Sequence, residues 1–218
     1  MMMVLFGPPG VGKGTQADLL SQKYNLVKFS MGDVLREEIA LSSPVATELE
    51  KYLYRGMLAP DDIVLGLVEN FLLEHRGTDI LFDGFPRTIN QAENLQKIVA
   101  RLALLLNLAL EMHLSEEDLI KRLVNRTYCP HCGRIYNYIT NPPKTNGVCD
   151  VCGYTLEKRH DDDEKIIKKR LKVYEQRTRA LTDFYKSQNI YDRIDANGSQ
   201  KEIFKRISEI IDVHIDKR

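Results

Sequence analysis

The chain of 218 residues has no excess of charge of either sign, because its 31 Lys and Arg residues balance its 31 Asp and Glu residues. Without a net positive charge, no overall field would hold the chain nonspecifically on nucleic acid or on an anionic membrane. The composition therefore argues against nucleic acid and membrane partners. Any site for an anion must be built locally.

Long hydrophobic runs are also lacking. The most apolar stretch, 98–114, contains Arg101, Asn107 and Glu111, and it is too short to cross a bilayer of about 30 Å as a helix. The apolar start at 1–6 has no basic segment before it and runs into glycines, which does not fit a secretory signal peptide. We therefore expect a cytoplasmic protein.

Cysteine is absent outside one short stretch. Two Cys-x-x-Cys pairs, with sixteen residues between them, have the spacing of a tetrahedral zinc site rather than of a disulfide framework. We predict a structural zinc ion bound by four thiolates, those of Cys129, Cys132, Cys149 and Cys152. A module this small gains from a metal the folding free energy that apolar burial cannot supply. Two disulfides or free thiols are the alternative.

What the chain does contain is an alternation of short apolar runs and amphipathic stretches, which is typical of a parallel sheet covered by helices. Strands are expected at 1–6, 26–29, 79–82, 108–113 and 190–194. Helices are expected at 14–24, 31–41, 44–54, 61–76, 90–105, 116–125, 164–186 and 199–216. Two stretches interrupt this rhythm and are expected as insertions: a helical one at 30–59 and a compact one, rich in Gly, Pro and Cys, at 125–162.

The strongest motif, Gly-Pro-Pro-Gly-Val-Gly-Lys-Gly-Thr at 7–15, follows the first strand and opens the first helix. This is the context of a phosphate-binding loop. Glycines let several backbone N–H groups point at one centre, where the helix N-terminus and Lys13 add positive charge. The motif predicts a triphosphate site. A simple glycine turn, the alternative, would not explain the lysine at this spacing.

The same loop departs from its usual pattern at Gly14, where a Ser or Thr commonly binds magnesium. Magnesium keeps much of its water shell, so carboxylates can hold it through water. Asp83, which ends the apolar run 80–82, is the first candidate, because strand ends beside a phosphate loop face the phosphates. Asp33 is the second. A turn or helix-cap role is the alternative for Asp83.

Arginines form the next candidate set. Arg87 stands behind a Gly and a Pro in the sequence Asp-Gly-Phe-Pro-Arg, 83–87, which suits it to clamp a phosphate. Arg122 and Arg126 are four residues apart near the end of one predicted helix and should share a face. Each arginine alone is most simply a solvated surface residue. As a group beside a phosphate loop, they are typical of charge neutralisation in phosphoryl transfer.

These stretches together resemble the adenylate kinases, in particular the long-lid, zinc-containing type common in bacteria. The matching segments, in the family's order, are 7–15, 32–36, 83–87 with Gln91, 122–126, and 159–162 with Arg170. The resemblance implies an α/β fold of the P-loop NTPase type with a five-stranded parallel sheet. It implies a core at 1–29, 60–124 and 163–218, a monophosphate-binding segment at 30–59, and a zinc-containing lid at 125–162.

The resemblance also implies reversible phosphoryl transfer from magnesium ATP to AMP, giving two ADP, by a monomer. Residues implied for ATP are Gly10, Val11, Gly12, Lys13, Gly14, Thr15, Arg126, Ile135, Tyr136 and Gly198. Residues implied for AMP are Met31, Arg36, Met57, Leu58, Ala59, Gly84, Phe85, Pro86, Arg87, Gln91, Arg159 and Arg170. Those implied to act on the transferred group are Lys13, Arg87, Arg122, Arg126, Arg159 and Arg170.

One residue departs from the family pattern and leaves more than one nucleoside monophosphate as a candidate acceptor. Met31 stands where most adenylate kinases have Thr, which removes a hydroxyl expected near AMP. A kinase of UMP or CMP, or one that uses GTP as donor, is therefore the alternative within the family. A zinc-ribbon nucleic-acid binder would need a basic surplus. A regulatory NTPase would need no acceptor site. The arginines around Arg87 indicate an acceptor site and so argue against this alternative.

Overall fold

The computed structural model describes residues Met1–Asp216, and its centre is the parallel sheet that the apolar runs predict. The five strands are β1 (Met2–Phe6), β2 (Val27–Ser30), β3 (Ile80–Asp83), β4 (Leu108–His113) and β7 (Tyr191–Asp195). They are parallel throughout, in the order β2-β3-β1-β4-β7. Two short antiparallel strands, β5 (Arg126–Tyr128) and β6 (Ile135–Asn137), form a separate ribbon. The predicted fold class is confirmed.

Helices connect and cover the strands. They are α1 (Lys13–Tyr24), α2 (Met31–Ala40), α3 (Ala46–Leu53), α4 (Asp61–Glu74), α5 (Ile89–Arg101), α6 (Glu116–Val124), α7 (Glu164–Val173), α8 (Leu181–Lys186) and α9 (Gln200–Asp216). A 3₁₀ turn covers His160–Asp162, and a π-helical turn covers Tyr174–Thr178. Within Met1–Asp216, no helix is both long and apolar enough to cross a bilayer.

The side-chain alternation of β1 shows how the sheet divides the core into two layers. Met2, Val4 and Phe6 pack on one face with α2, α3, α4, α5 and α8, whereas Met3 and Leu5 pack on the other with α1, α6, α7 and α9. All five residues are buried, because a parallel sheet covered on both faces has no solvent side. This explains why its strands read as continuous apolar runs.

Two expected helices differ in the structure. The helix predicted at 90–105 ends at Arg101, and the chain then turns through Ala103, whose φ of 54° is left-handed. The helix predicted at 164–186 is not continuous: α7 passes into the π-helical turn, and α8 follows. This interruption coincides with hydrogen bonds from its two ends to Glu111 in the sheet, a tertiary constraint that local periodicity does not reveal.

The strand register places the site. Leu5 pairs with Asp83, and Ser30 pairs with Asp83 on the other side. The segments that follow β1, β2 and β3 therefore leave the sheet at the same level of its carboxyl edge. In open parallel sheets this edge is where ligands bind.

Candidate active site

The phosphate-binding loop follows β1 and has the backbone that its glycines permit. Gly10 and Gly12 have φ of 86° and 105°, and a Cβ at Gly10 would lie 2.7 Å from the side chain of Leu123. Helix α1 begins directly at Lys13, so its free N–H groups lie at the loop. The Lys13 ammonium curls back and donates to the carbonyl oxygens of Gly7 (2.9 Å) and Pro8 (3.0 Å).

Lys13 is held at an electrostatic cost. Its pKa is lowered from the ordinary 10.5 to about 7, mainly by burial; the charge of Asp83 opposes this lowering, and the positive charge of Arg87 contributes to it. Arg87 is itself half-buried, and desolvation together with the charge of Arg170 lowers its pKa to about 10. Cations whose charged forms are disfavoured in this way would be stabilised by an anion such as phosphate.

The two carboxylates predicted to support magnesium face the same cavity. Asp83 ends β3 and is buried, which raises its pKa, and the neighbouring Asp33 raises it further against the effect of Lys13. Asp33 lies in α2 and pairs with Arg36. Burial would raise the pKa of Asp33, but Arg36 and the Ser30 hydroxyl outweigh it and lower the pKa. Two neighbouring carboxylates with oxygen ligands are chemically suited to hydrated magnesium.

A first cavity lies between the phosphate-binding loop and the ribbon of β5 and β6; we call it the donor cavity. All ten residues that the sequence assigned to ATP line it: Gly10, Val11, Gly12, Lys13, Gly14, Thr15, Arg126, Ile135, Tyr136 and Gly198. Arg122 and Arg159 line it as well. Residues from four distant parts of the chain thus meet around one space.

A second cavity, the acceptor cavity, opens on the other side of Lys13. Of the residues assigned to AMP, it is lined by Arg36, Met57, Leu58, Gly84, Pro86, Arg87 and Arg170. Four cations line both cavities: Lys13, Arg36, Arg87 and Arg170. The two cavities therefore meet at one positively charged centre.

Four residues assigned to AMP line neither cavity. Met31 and Phe85 are 3% and 0% exposed and pack in the core layer that contains Phe29, and Ala59 packs against that layer. Gln91 is buried, and its amide is engaged at both ends: its oxygen accepts from the Arg87 N–H (2.7 Å), and its nitrogen donates to Asp61 (2.7 Å). Its reading of the AMP base stays a prediction.

Acidic partners also hold Arg126 and Arg170 in place. Arg126 donates twice to Asp162, at 2.7 and 2.6 Å. Arg170 pairs with both Asp161 (2.9 Å) and Asp162 (3.1 Å). The carboxylate of Asp162 therefore ties the beginning of β5 to α7. Because α6 ends at Val124, the expectation that Arg122 and Arg126 share one helix is wrong: Arg126 begins β5.

Arg122 and Arg159 have no salt-bridge partner among the described residues. Arg122 donates to the carbonyl oxygens of Val11 (3.1 Å) and Ala196 (3.0 Å), which fixes it across the donor cavity. Arg159 is held beside Arg126, and burial together with that charge lowers its pKa to about 9. Its Nε has no hydrogen-bond partner. Both guanidinium groups therefore keep donors for a bound anion.

The four cysteines converge as their spacing predicts. Their Sγ atoms all lie within 4.8 Å of one another, with 3.4 Å between Cys129 and Cys152 and 3.5 Å between Cys132 and Cys149. A tetrahedron with Zn–S bonds of about 2.3 Å separates its sulfurs by about 3.8 Å, so the donor set fits zinc. All four thiols are free, and Gly133 and Gly153 turn each pair with φ of 72° and 73°.

Several structural residues of the site escaped sequence reasoning. Gln16 joins α1 to the beginning of α9 by donating to the Gln200 carbonyl (3.1 Å), and Thr178 donates to the Arg87 carbonyl (2.8 Å). Glu111, buried in β4, accepts from the hydroxyls of Tyr174, Thr182 and Tyr191 at 3.4, 3.0 and 2.6 Å. Glu111 is the one carboxylate inside the apolar run 108–112, and this is the signal in the sequence that could have identified it.

This arrangement also has relatives among known proteins. The sequence profile of the family described as adenylate kinase matches residues 5–190, which is most of the chain. The chain belongs to the adenylate kinase family. It is thus a member of the nucleoside monophosphate kinases, which are phosphotransferases.

Named relatives agree along the full length. The adenylate kinase of Thermococcus kodakarensis is 41% identical over 97% of this chain and 94% of its own length. That of Thermodesulfovibrio yellowstonii is also 41% identical, over 97% and 99%. That of Clostridium novyi is 39% identical, over 97% and 99%. The similarity therefore includes the cysteine-rich segment as well as the phosphate-binding loop.

Proposed function

We propose that the chain catalyses reversible transfer of the terminal phosphoryl group from magnesium ATP to AMP, giving two ADP and balancing the adenine nucleotides. One observation carries this proposal: the donor and acceptor cavities share Lys13, Arg36, Arg87 and Arg170. Phosphates placed in the two cavities would meet at these cations. Phosphoryl transfer depends mainly on such positioning and charge stabilisation. The names of the relatives support AMP as the acceptor.

On the donor side, the backbone N–H groups of Gly10 to Thr15 would hold the ATP phosphates, and Lys13 would follow the transferred group. Arg122, Arg126 and Arg159 would neutralise the charge that develops on it. Ile135, Tyr136 and Gly198 would contact the rest of the nucleotide.

On the acceptor side, Arg36, Arg87 and Arg170 would clamp the AMP phosphate. Met57, Leu58, Gly84 and Pro86 would contact AMP along the walls of the acceptor cavity, and Ala59, Phe85 and Met31 would support them from the adjoining core layer. Gln91 would read the base after exchanging its bond to Asp61 for one to adenine.

Two metals belong to the proposal. Asp33 and Asp83 would hold magnesium through its water shell, which supplies positive charge at the ATP phosphates. The four cysteines would hold a structural zinc ion, because a closed set of four thiolates leaves no position for substrate.

Closure completes the proposal. Segments 30–59 and 125–162 would move on the remaining core and shield the reaction from water, which competes with AMP as a nucleophile. The bonds between Asp162 and the two cations Arg126 and Arg170 join the two ends of segment 125–162 to α7. We further propose that the chain acts as a cytoplasmic monomer without nucleic acid or membrane partners.

Proton uptake should accompany ATP binding above neutral pH. The pKa of Lys13 is lowered by burial to about 7, so at pH 8 its amine is mostly neutral, and phosphates would restore the charge. Calorimetry in two buffers of different ionisation enthalpy should show most of one proton taken up at pH 8 and almost none at pH 6. Lys13→Gln should abolish this difference; equal uptake in the variant would contradict the assignment.

The pH dependence that Lys13 gives to the free energy of unfolding has the opposite sign to that of a lysine whose pKa is raised by an ion pair. Between pH 7 and 10.5 the unfolded chain binds more protons at Lys13 than the folded chain does, so this group's contribution to stability rises with pH.

An acceptor panel tests the proposed reaction. Diphosphate formation from magnesium ATP should depend on AMP and should exceed that with CMP, UMP or GMP by at least about 100-fold in kcat/KM, since a misplaced base leaves buried polar groups unpaired. GTP in place of ATP tests the donor. Comparable rates with UMP or CMP would establish the other monophosphate kinase, and turnover without an acceptor would establish an NTPase.

A further inference from the structure

Strand β6 lies between the cysteine centre and the donor cavity. Its three residues, Ile135, Tyr136 and Asn137, all line the cavity. Tyr136 is nevertheless 3% exposed, and its hydroxyl oxygen lies 3.4 Å from the Sγ of Cys149. Tyr136 therefore belongs to the wall of the cavity, and its side chain contacts a predicted zinc ligand.

The direction of this hydrogen bond follows from its neighbours. The backbone N–H of Asp150 donates to the Tyr136 hydroxyl oxygen at 2.8 Å. The hydroxyl hydrogen is then free to point at Cys149, whose sulfur is an acceptor when it is a metal-bound thiolate. Asp150 in turn accepts from the Lys144 N–H at 2.9 Å. The hydroxyl of Tyr136 thus orients a ligand and the backbone that follows it.

The adjacent residue anchors the same strand on the catalytic side. The Asn137 amide donates to the Arg122 carbonyl at 2.8 Å, at the end of α6. Its oxygen accepts from the N–H groups of Ile139 (2.9 Å) and Thr140 (3.1 Å), and Thr140 lines the donor cavity. Consequently β6 has one attachment on the cysteine centre and another on the helix that carries Arg122.

We propose that Tyr136 is a positioning residue that couples the four-cysteine centre to ATP binding, through its hydroxyl on Cys149 and its place in the wall of the donor cavity. The inference rests on the proposed function for its ligand, ATP. Hydrogen bonds from outer residues to metal ligands tune metal affinity, and coupling between two sites is reciprocal. Zinc should therefore strengthen ATP binding, and ATP should strengthen zinc binding by the same factor, which we expect to appear mainly as slower zinc release.

The test compares Tyr136→Phe with Tyr138→Phe in the full zinc-loaded chain. Tyr138 follows two residues later, directly after β6, and is 40% exposed, so its variant is a matched loss of a hydroxyl beside the same strand. Zinc release to a chromogenic chelator is followed with and without ATP, and the Kd for ATP is measured by calorimetry without AMP. Circular dichroism checks that both variants are folded.

In the native chain and in Tyr138→Phe, ATP should slow zinc release by about 5-fold or more. Tyr136→Phe should release zinc about 10-fold faster, should bind ATP more weakly, and should lose most of the protection by ATP. Native release rates in Tyr136→Phe, or full protection by ATP in that variant, would overturn the coupling. A native chain that binds zinc but no ATP would instead overturn the proposed function.

Discussion

Replacing Lys13 by Gln is expected to lower kcat for AMP-dependent ADP formation by about 100- to 1000-fold, the usual cost of losing one charge-stabilising donor. Lys13 is the cation of the phosphate-binding loop that lines both cavities, and Gly7 and Pro8 hold its ammonium at their junction. Glutamine keeps a hydrogen-bond donor but not the charge. The measurement is the steady-state rate with AMP and magnesium ATP both saturating.

The control for this variant lies in the same helix. Lys23 lies in the last turn of α1, its side chain is 40% exposed, and it faces Asp212, so Lys23→Gln should change kcat by less than about 2-fold. Lys13→Gln should remain folded, because it removes a buried cation whose pKa burial lowers to about 7. A folded Lys13→Gln protein with kcat within about 3-fold of the native chain would contradict the role of Lys13.

Removal of the metal from the cysteine centre is expected to unfold the segment 125–162 and to reduce kcat/KM for ATP by more than about 100-fold. The segment's own hydrophobic cluster consists of four residues, Cys129, Tyr136, Cys149 and Leu156, and two of these are predicted ligands. So small a cluster cannot support a fold, whereas structural zinc contributes about 10–16 kcal/mol of binding free energy in zinc-finger peptides. Hydrogen exchange measures the outcome directly.

The amides to follow are those that close the two knuckles. The N–H groups of Gly133 and Gly153 donate to the carbonyl oxygens of Cys129 and Cys149, at 2.9 Å each. They should exchange rapidly in the metal-free chain, while the amides of β1 in the parallel sheet stay protected. Magnesium is added back before the assay, so that chelation of magnesium is not read as loss of zinc. Unchanged protection and unchanged kcat/KM in the metal-free chain would show that the segment folds without zinc.

Local sequence was sufficient wherever one short segment builds the feature. The phosphate-binding loop needs only its glycines, Lys13 and the helix that follows, and all of them lie within 7–15. The spacing of the cysteine pairs likewise predicted that the four thiols would meet. Within each pair, Gly133 or Gly153 allows the turn that closes the knuckle. The five buried strands were readable because both of their faces are covered.

Features that depend on contacts between distant segments were not readable in this way. The continuous helix expected at 164–186 is divided because Tyr174 and Thr182 both reach Glu111, more than 60 residues earlier in the chain. Arg126 begins a strand rather than ending a helix, since β5 pairs with β6. Periodicity reports which face of an element is apolar, but not where a tertiary partner interrupts it.

The parallel sheet, the phosphate-binding loop, the cysteine cluster and the family could all be predicted from residue patterns. Packing between distant segments was needed to show that four cations line both cavities, namely Lys13, Arg36, Arg87 and Arg170. It was also needed to show that Arg87 and Asp61 hold the amide of Gln91 and that Tyr136 reaches Cys149. The difference lies in the distance along the chain over which each feature is built. A motif of nine residues fixes its own backbone, whereas the direction of a side chain toward another segment is set by how the layers pack around the sheet.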